Sequence, residues 1–240
     1  MSAILLFVLS LGVAQPVSAL YDVEFNVLQH VVAVRGLGAR VVVFPELSLT
    51  GYDMGVEAID TDDPRLVPLV DACGAAGAIA LVGCPTRAPD GGKFLSMLQI
   101  DGEGVSVAYN KMFLGGAEPQ HFTAGSEPAI LDVDGWRLGL AICKDTGVSE
   151  HAANTAALGI DVYVAGVCET EDDREVQPQR ALDIIRQHGV WVAYASFAGP
   201  TGGGFDQTAG RSAVWRPDGE ATLQLGHQPG EWAHTTLTQT

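Results

Sequence analysis

Three residues of this chain have the chemistry of a covalent catalyst and share one setting: each follows an apolar run. Glu46 ends the run Val41-Val42-Val43-Phe44-Pro45, Lys111 follows Tyr109-Asn110, and Cys143 follows Trp136-Arg137-Leu138-Gly139-Leu140-Ala141-Ile142. A cysteine nucleophile needs a base to take its proton, and a carboxylate serves where burial raises its pKa. The oxyanion formed by attack needs positive charge or hydrogen-bond donors, and lysine supplies both. Cys143 has a second asset. A Gly-containing turn at 146–148 leads to Ser149, which suits an N-cap, and to a helical pattern over 151–159. A thiol at such a strand-to-helix turn is exposed and meets the positive end of a helix, which favours a thiolate. Each residue alone also has an ordinary reading: Glu46 as a helix cap, Lys111 as a surface charge, Cys143 as a small buried apolar group. The coincidence of all three at strand ends is what points to a site.

The elements that would carry them alternate between types. Apolar residues at helical spacing (Val23, Val27, Val31, Val34) predict a helix stopped by Gly36 and Gly38. The run at 39–44 reads as a strand buried on both faces. Residues 64–76 read as a helix and 78–84 as a strand. Two hairpins follow, 94–100 with 105–109, and 129–133 with 136–142, the second turning at Asp134-Gly135. Beyond Cys143 come a strand over 160–167, an acidic loop at 169–175, a helix over 176–188 and a strand over 190–196. The Gly-rich loop at 199–204 has no lysine or helix start after it, so it is not a phosphate loop. Short strands at 211–215, 221–225 and 231–237 close the chain. Alternating strands and helices interrupted by hairpins predict an α/β fold with mixed sheets, and no linker divides the 240 residues, so one domain over 1–240 is expected.

At the N-terminus an apolar stretch at 4–13 precedes Val17-Ser18-Ala19, which resembles a signal-peptidase site. No Lys or Arg precedes the stretch, and residues 10–16 read as a first strand ending at a proline turn; the strand is the preferred reading. No stretch reaches a transmembrane length. The net charge of −16 argues against nucleic-acid binding and favours a neutral or cationic small molecule over an anion. Cys73, Cys84, Cys143 and Cys168 form no CxxC pair and no zinc spacing, so free thiols in a cytoplasmic setting are expected.

Taken together, Phe44-Pro45-Glu46-Leu47-Ser48-Leu49-Thr50-Gly51-Tyr52, Tyr109-Asn110-Lys111 and Ala141-Ile142-Cys143-Lys144-Asp145 resemble the three signature blocks of the carbon-nitrogen hydrolases, the nitrilase superfamily. Phe122-Thr123-Ala124-Gly125, Gly159-Ile160-Asp161, Gly210-Arg211-Ser212 and Pro217-Asp218-Gly219 agree, so the resemblance spans nearly the whole chain. It implies a four-layer αββα sandwich with two mixed β-sheets, no metal or organic cofactor, and a homodimer or larger homo-oligomer. It also implies Glu46 as general base, Cys143 as nucleophile and Lys111 as stabiliser of the tetrahedral intermediate. The Lys144 N–H would complete the oxyanion hole, Glu118 matches the second glutamate that positions the lysine, and Tyr52 supports the substrate pocket. The chain departs from the family's usual aromatic residue after the cysteine, where it has Lys144, and from the run beyond it, where it has Gly147-Val148-Ser149-Glu150. Lys144 has two readings: its positive charge depresses the thiol pKa, or its side chain simply points to solvent.

The resulting expectation is a cysteine hydrolase of C–N bonds in a small linear amide or N-carbamoyl compound, working through a thioester. Three other readings stand beside it: a nitrilase, a catalytically silent binding homologue, and a Cys–His hydrolase using His151 or His188. Nitrilases are usually longer chains, and this one stops at Thr240 soon after its last predicted strand, which favours the amide.

Overall fold

Strands that are apolar on both faces require cover on both sides, and the fold supplies it. In the computed structural model, which describes residues 8–239, the elements in chain order are β1 (Val8–Gln15), α1 (Val23–Leu37), β2 (Val41–Val43), α2 (Val67–Ala76), β3 (Ile79–Arg87), β4 (Lys93–Asp101), β5 (Gly104–Asn110), β6 (Ala129–Val133), β7 (Trp136–Ile142), α3 (Ser149–Ala157), β8 (Val162–Val167), α4 (Val176–His188), β9 (Trp191–Ser196), β10 (Ala198–Gly199), β11 (Thr208–Ala209), β12 (Ala213–Trp215), β13 (Ala221–Gln224) and β14 (Glu231–Thr238). One mixed sheet runs β14-β1-β2-β3-β4-β5 and the other β13-β12-β9-β8-β7-β6; β10 and β11 form a small ribbon.

Side-chain alternation divides the core into layers. Leu9, Leu11, Val13, Val41, Val43 and Leu81 of the first sheet meet Leu138, Leu140, Val162 and Val164 of the second. The opposite face of the first sheet, with Val42, Ala80 and Val82, packs under α1 and α2. The opposite face of the second, with Ala141, Tyr163, Ala165 and Tyr194, packs against Ala152 of α3 and Ala181, Ile184 and Ile185 of α4. The result is the expected αββα sandwich.

Several boundaries differ from the sequence reading for local reasons. Gly36 does not stop α1, which runs to Leu37 with Gly38 as its left-handed cap at φ 60°. Gly36 is instead a close-packing site: a Cβ there would lie 2.5 Å from the Trp232 ring. Ser149 is the first residue of α3 and not its N-cap, because Cys143–Gly147 forms a separate 3₁₀ turn first. The strand at 39–44 shortens to β2, since Pro45 has no N–H to continue a ladder.

Residues 8–15 of the N-terminal apolar run form β1, paired antiparallel to β14 and parallel to β2. Residues 4–7 lie outside the described residues. The signal-like Val17-Ser18-Ala19 belongs to the following loop, where Ala19 exchanges two hydrogen bonds with the Asn26 side chain. No helix among the described residues is long and apolar enough to cross a membrane.

Candidate active site

The ends of β2, β5 and β7 converge on one cavity of 410 Å³ whose walls include Lys111, Glu118, Cys143 and Tyr52. Glu46 sits behind them, 2% exposed. Its approach is tightly enclosed: a Cβ on Gly83 would lie 2.4 Å from Pro45 O and Leu47 N, and one on Gly166 would lie 2.6 Å from Phe44 O. These two glycines, in β3 and β8, let both sheets close on the Glu46 turn.

Lys111 is 1% exposed and donates to Glu46 Oε1 and to Glu118 Oε1, both at 2.7 Å. Glu118 is fixed in turn: Tyr52 donates from its hydroxyl to Oε1 at 3.0 Å, and Gly115 N–H to Oε2 at 2.7 Å. Tyr52 therefore acts as a support for Glu118. Glu46 Oε2 is buried and has no hydrogen-bond partner among the described residues. The Cys143 thiol approaches Glu46 as a weak donor, and its sulfur also lies 3.6 Å from Cys168 O.

Burial pushes the Glu46 carboxyl up to about 7 against the pull of Lys111, with Glu118 adding a like charge. Burial also works against the Lys111 charge, but Glu46, Cys143 and Glu118 outweigh it and hold the ammonium well above the usual lysine range. The thiol departs from expectation. Burial, reinforced by Glu46 and Glu169, raises the Cys143 pKa well above its ordinary value despite Lys111. Burial thus favours the thiol form, against the helix-end reading, and of the two readings for Lys144 the solvent-facing one holds. The 3₁₀ turn is too short to carry a large dipole, and Lys144 is exposed, its stem lying along Gly115 on the cavity wall.

Cys143 occupies the left-handed region at φ 43°, a strained conformation for a residue with a side chain. Asp145 holds it there. Its Oδ2 accepts from Ile142 N–H at 3.0 Å and from the Tyr109 hydroxyl at 2.7 Å, and Oδ1 accepts from Phe113 N–H at 2.9 Å. His151 belongs to this network and not to the thiol. Because Tyr109 donates to Asp145, His151 Nε2–H donates to the Tyr109 oxygen at 2.9 Å, and Nδ1 accepts from Tyr163 at 2.8 Å. Burial lowers the His151 pKa, in keeping with that neutral ring. His188 ends α4, away from the cavity walls. The Cys–His reading is thereby removed.

A fold of this layering with a Glu–Lys–Cys cluster at three strand ends defines a class, the nitrilase-like hydrolases. The carbon-nitrogen hydrolase family model matches residues 10–240, and the chain belongs to that family. A hydrolase encoded in the pqqF 5′ region of Pseudomonas protegens is 29% identical over 216 residues, covering 85% of this chain and 74% of that one. A carbon-nitrogen hydrolase superfamily protein of Xanthomonas campestris superposes with a TM-score of 0.86 at 19% identity, covering 97% of this chain and 91% of that one. The amidase of Nesterenkonia in complex with butyramide superposes with a TM-score of 0.81 at 24% identity, covering 96% and 90%. Weaker relatives bear the names of both a nitrilase and an amidase.

Proposed function

We propose that this hydrolase cleaves the C–N bond of a small linear amide or N-carbamoyl compound, with Cys143 as nucleophile, Glu46 as general base and acid, and Lys111 as oxyanion stabiliser. The observation that carries the reading is the buried Glu46 carboxyl, with Lys111 bonded to one oxygen, the other oxygen unpartnered, and the Cys143 thiol near enough to act on it. As the sulfur attacks the carbonyl carbon, the thiol proton passes to Glu46. The oxyanion of the tetrahedral adduct is met by the Lys111 ammonium and the Lys144 N–H. Glu46 returns the proton to the nitrogen, which leaves as ammonia or an amine, and a thioester remains on Cys143. Water then attacks the thioester carbonyl while Glu46 takes its proton, the acid departs, and the thiol is restored. A base near 7 suits both directions of transfer. Glu118 and Tyr52 keep Lys111 aimed at the cavity. The free thiols fit a reducing, cytoplasmic setting, and subunits pair as a homodimer or larger homo-oligomer in this reading.

The test compares kcat/KM across matched small aliphatic amides, carbamoyl amines and nitriles, with intact-mass detection of the acyl enzyme. Amides and carbamoyl compounds should release ammonia or amine, kcat/KM should rise as pH passes about 7, and Cys143→Ala should fold but lose more than about a thousandfold in turnover. A consistent advantage for nitriles would overturn the amide assignment. No adduct with any compound would favour a silent binding protein.

A further inference from the structure

The cavity holds charged groups that the proposed chemistry does not use: Glu169, Asp173 and Arg180 on one side and Lys144 against Gly115 on another. Glu169 directly follows Cys168 at the end of β8, with 18% of its side chain exposed. Its Oε1 accepts from Gln177 Nε2 at 2.6 Å and from Arg180 Nη1 at 3.3 Å, both residues of α4. Its Oε2 makes no hydrogen bond to the described residues. The carboxylate is thus oriented from behind, with one oxygen left over, and it stands close enough to raise the pKa of both Cys143 and Cys168.

The cations that act on it are committed: Lys111 is bonded to Glu46 and Glu118, and Arg180 to Glu169 itself. The Arg180 guanidinium lies over Gly147, where a Cβ would come within 2.7 Å of Nε, and its Nη1 also reaches Thr146 Oγ1 at 3.4 Å. In the loop that follows, Arg174 pairs with Glu171 and Glu175, and Arg211, between β11 and β12, pairs with the same two carboxylates. Asp173 accepts only from its own loop, through Thr170 Oγ1 at 3.0 Å and without an ion pair among the described residues. This wall is therefore net negative, with two carboxylates against one engaged guanidinium. An apolar substrate filling the cavity would strip water from Glu169 Oε2 and give it nothing in return, an unfavourable exchange for a half-buried charge. A substrate ammonium or guanidinium would form a charge-assisted hydrogen bond there.

We propose that Glu169 is a specificity-determining residue, and that the preferred amide or carbamoyl compound carries an ammonium or guanidinium group, away from the scissile bond, which binds Glu169 Oε2. The proposal rests on the amide reading of the site and names its substrate class.

The experiment uses short aliphatic amides of graded chain length ending in methyl, ammonium or carboxylate. At the best length the wild type should prefer the ammonium-ended amide over its methyl-ended isostere by about tenfold or more in kcat/KM, the scale of one charge-assisted hydrogen bond. Glu169→Gln should collapse that ratio toward one, and Asp173→Asn should reduce it less. A merely structural Glu169 would slow both substrates alike and leave the ratio unmoved, which would overturn the proposal, as would a preference for the carboxylate-ended amide. A second measurement needs no variant and no turnover. Alkylammonium ions should protect Cys143 from alkylation more than isosteric alcohols do, and equal protection counts against the proposal. If no amide is turned over, the amide reading fails while this protection assay still judges Glu169.

Discussion

Two turns of this molecule do related work by different means. The turn after β2 carries Glu46, and the turn after β7 carries Cys143. Both place a non-glycine residue in the left-handed region, Leu47 at φ 55° and Cys143 at φ 43°. Strain of this kind costs about 1–3 kcal/mol and persists only where the surroundings fix it. At Glu46 the fixing is largely steric, because Gly83 and Gly166 let two strands press on the backbone from both sheets. From α1, Asn26 Nδ2 donates to Leu49 O at 3.0 Å, and His30 meets Ser48 Oγ at 2.9 Å. At Cys143 the fixing is polar and runs through Asp145. In the proposed mechanism Glu46 carries a proton in both half-reactions and gains from being immobile. Cys143, the proposed nucleophile, lines the cavity, so it cannot be enclosed in the same way and is tethered instead.

Breaking the tether should have the larger effect. All three groups bonded to Asp145 are donors, and in Asp145→Asn one of its two oxygens becomes a donor itself. Hydrogen bonds to charged groups contribute about 1.5–3 kcal/mol each, so a stability loss of about 3 kcal/mol is expected, with a marked fall in turnover. Urea denaturation and steady-state kinetics read both. A variant within about 1 kcal/mol of wild type would mean that the Cys143 turn is held by something other than this carboxylate.

Tightening the steric clamp should act less on stability and selectively on chemistry. In Gly166→Ala the new methyl would meet Phe44 O and lie 2.9 Å from Glu46 N. Overpacking costs about 1–3 kcal/mol. The displacement of Glu46 should lower turnover by about a hundredfold, the scale set by a misplacement of about 1 Å. Alkylation of Cys143 at high pH, where no base is needed, should change little. If alkylation and turnover fall together, the methyl has disturbed β8 as a whole and not the Glu46 turn.

The contrast also explains what the sequence disclosed. Glu46, Lys111 and Cys143 were legible because polar residues that end apolar runs are conspicuous. Asn26 and His30 were missed although they lie in phase with Val23, Val27, Val31 and Val34 on the buried face of α1; reading only the apolar members of that stripe hid them. Gly83 and Gly166 interrupt two apolar strands, but a glycine in a strand does not say which backbone approaches it. Asp145 has no legible role within its motif, since its three donors come from two separate strand ends. Glu169 read as the start of an acidic loop, because pairing with α4 is a tertiary fact. The thiol pKa is illegible for a related reason: the local turn suggests a thiolate, while burial, invisible locally, sets the direction.

The smallest expected effect separates the two networks by pH. Each contains a buried histidine. Burial holds the His30 pKa down to about 4, against the opposing pull of its Asn26 carbonyl partner. Its ordinary value is 6.5, so the neutral ring contributes stability that is present above 6.5 and is lost as pH falls toward 4. The slope approaches about 1.4 kcal/mol per pH unit inside that window. His151 is also lowered by burial, but Asp145 works against the shift. The Asp145 carboxyl is itself raised, chiefly by burial, so acid relieves a penalty there while it imposes one on the histidine. The His30 ring therefore costs more stability in mild acid than the His151 ring does, and the Glu46 carboxyl, itself raised to about 7, cancels when each histidine variant is compared with wild type. Urea midpoints of wild type, His30→Gln and His151→Gln, measured as differences so that surface charges cancel, should show this. Between pH 7 and 5.5 the wild type should lose about 1 kcal/mol relative to His30→Gln, and less relative to His151→Gln. Parallel curves for wild type and His30→Gln would show that the ring stays accessible to protons in the native state, and the α1 anchor would then be looser than its hydrogen bonds imply.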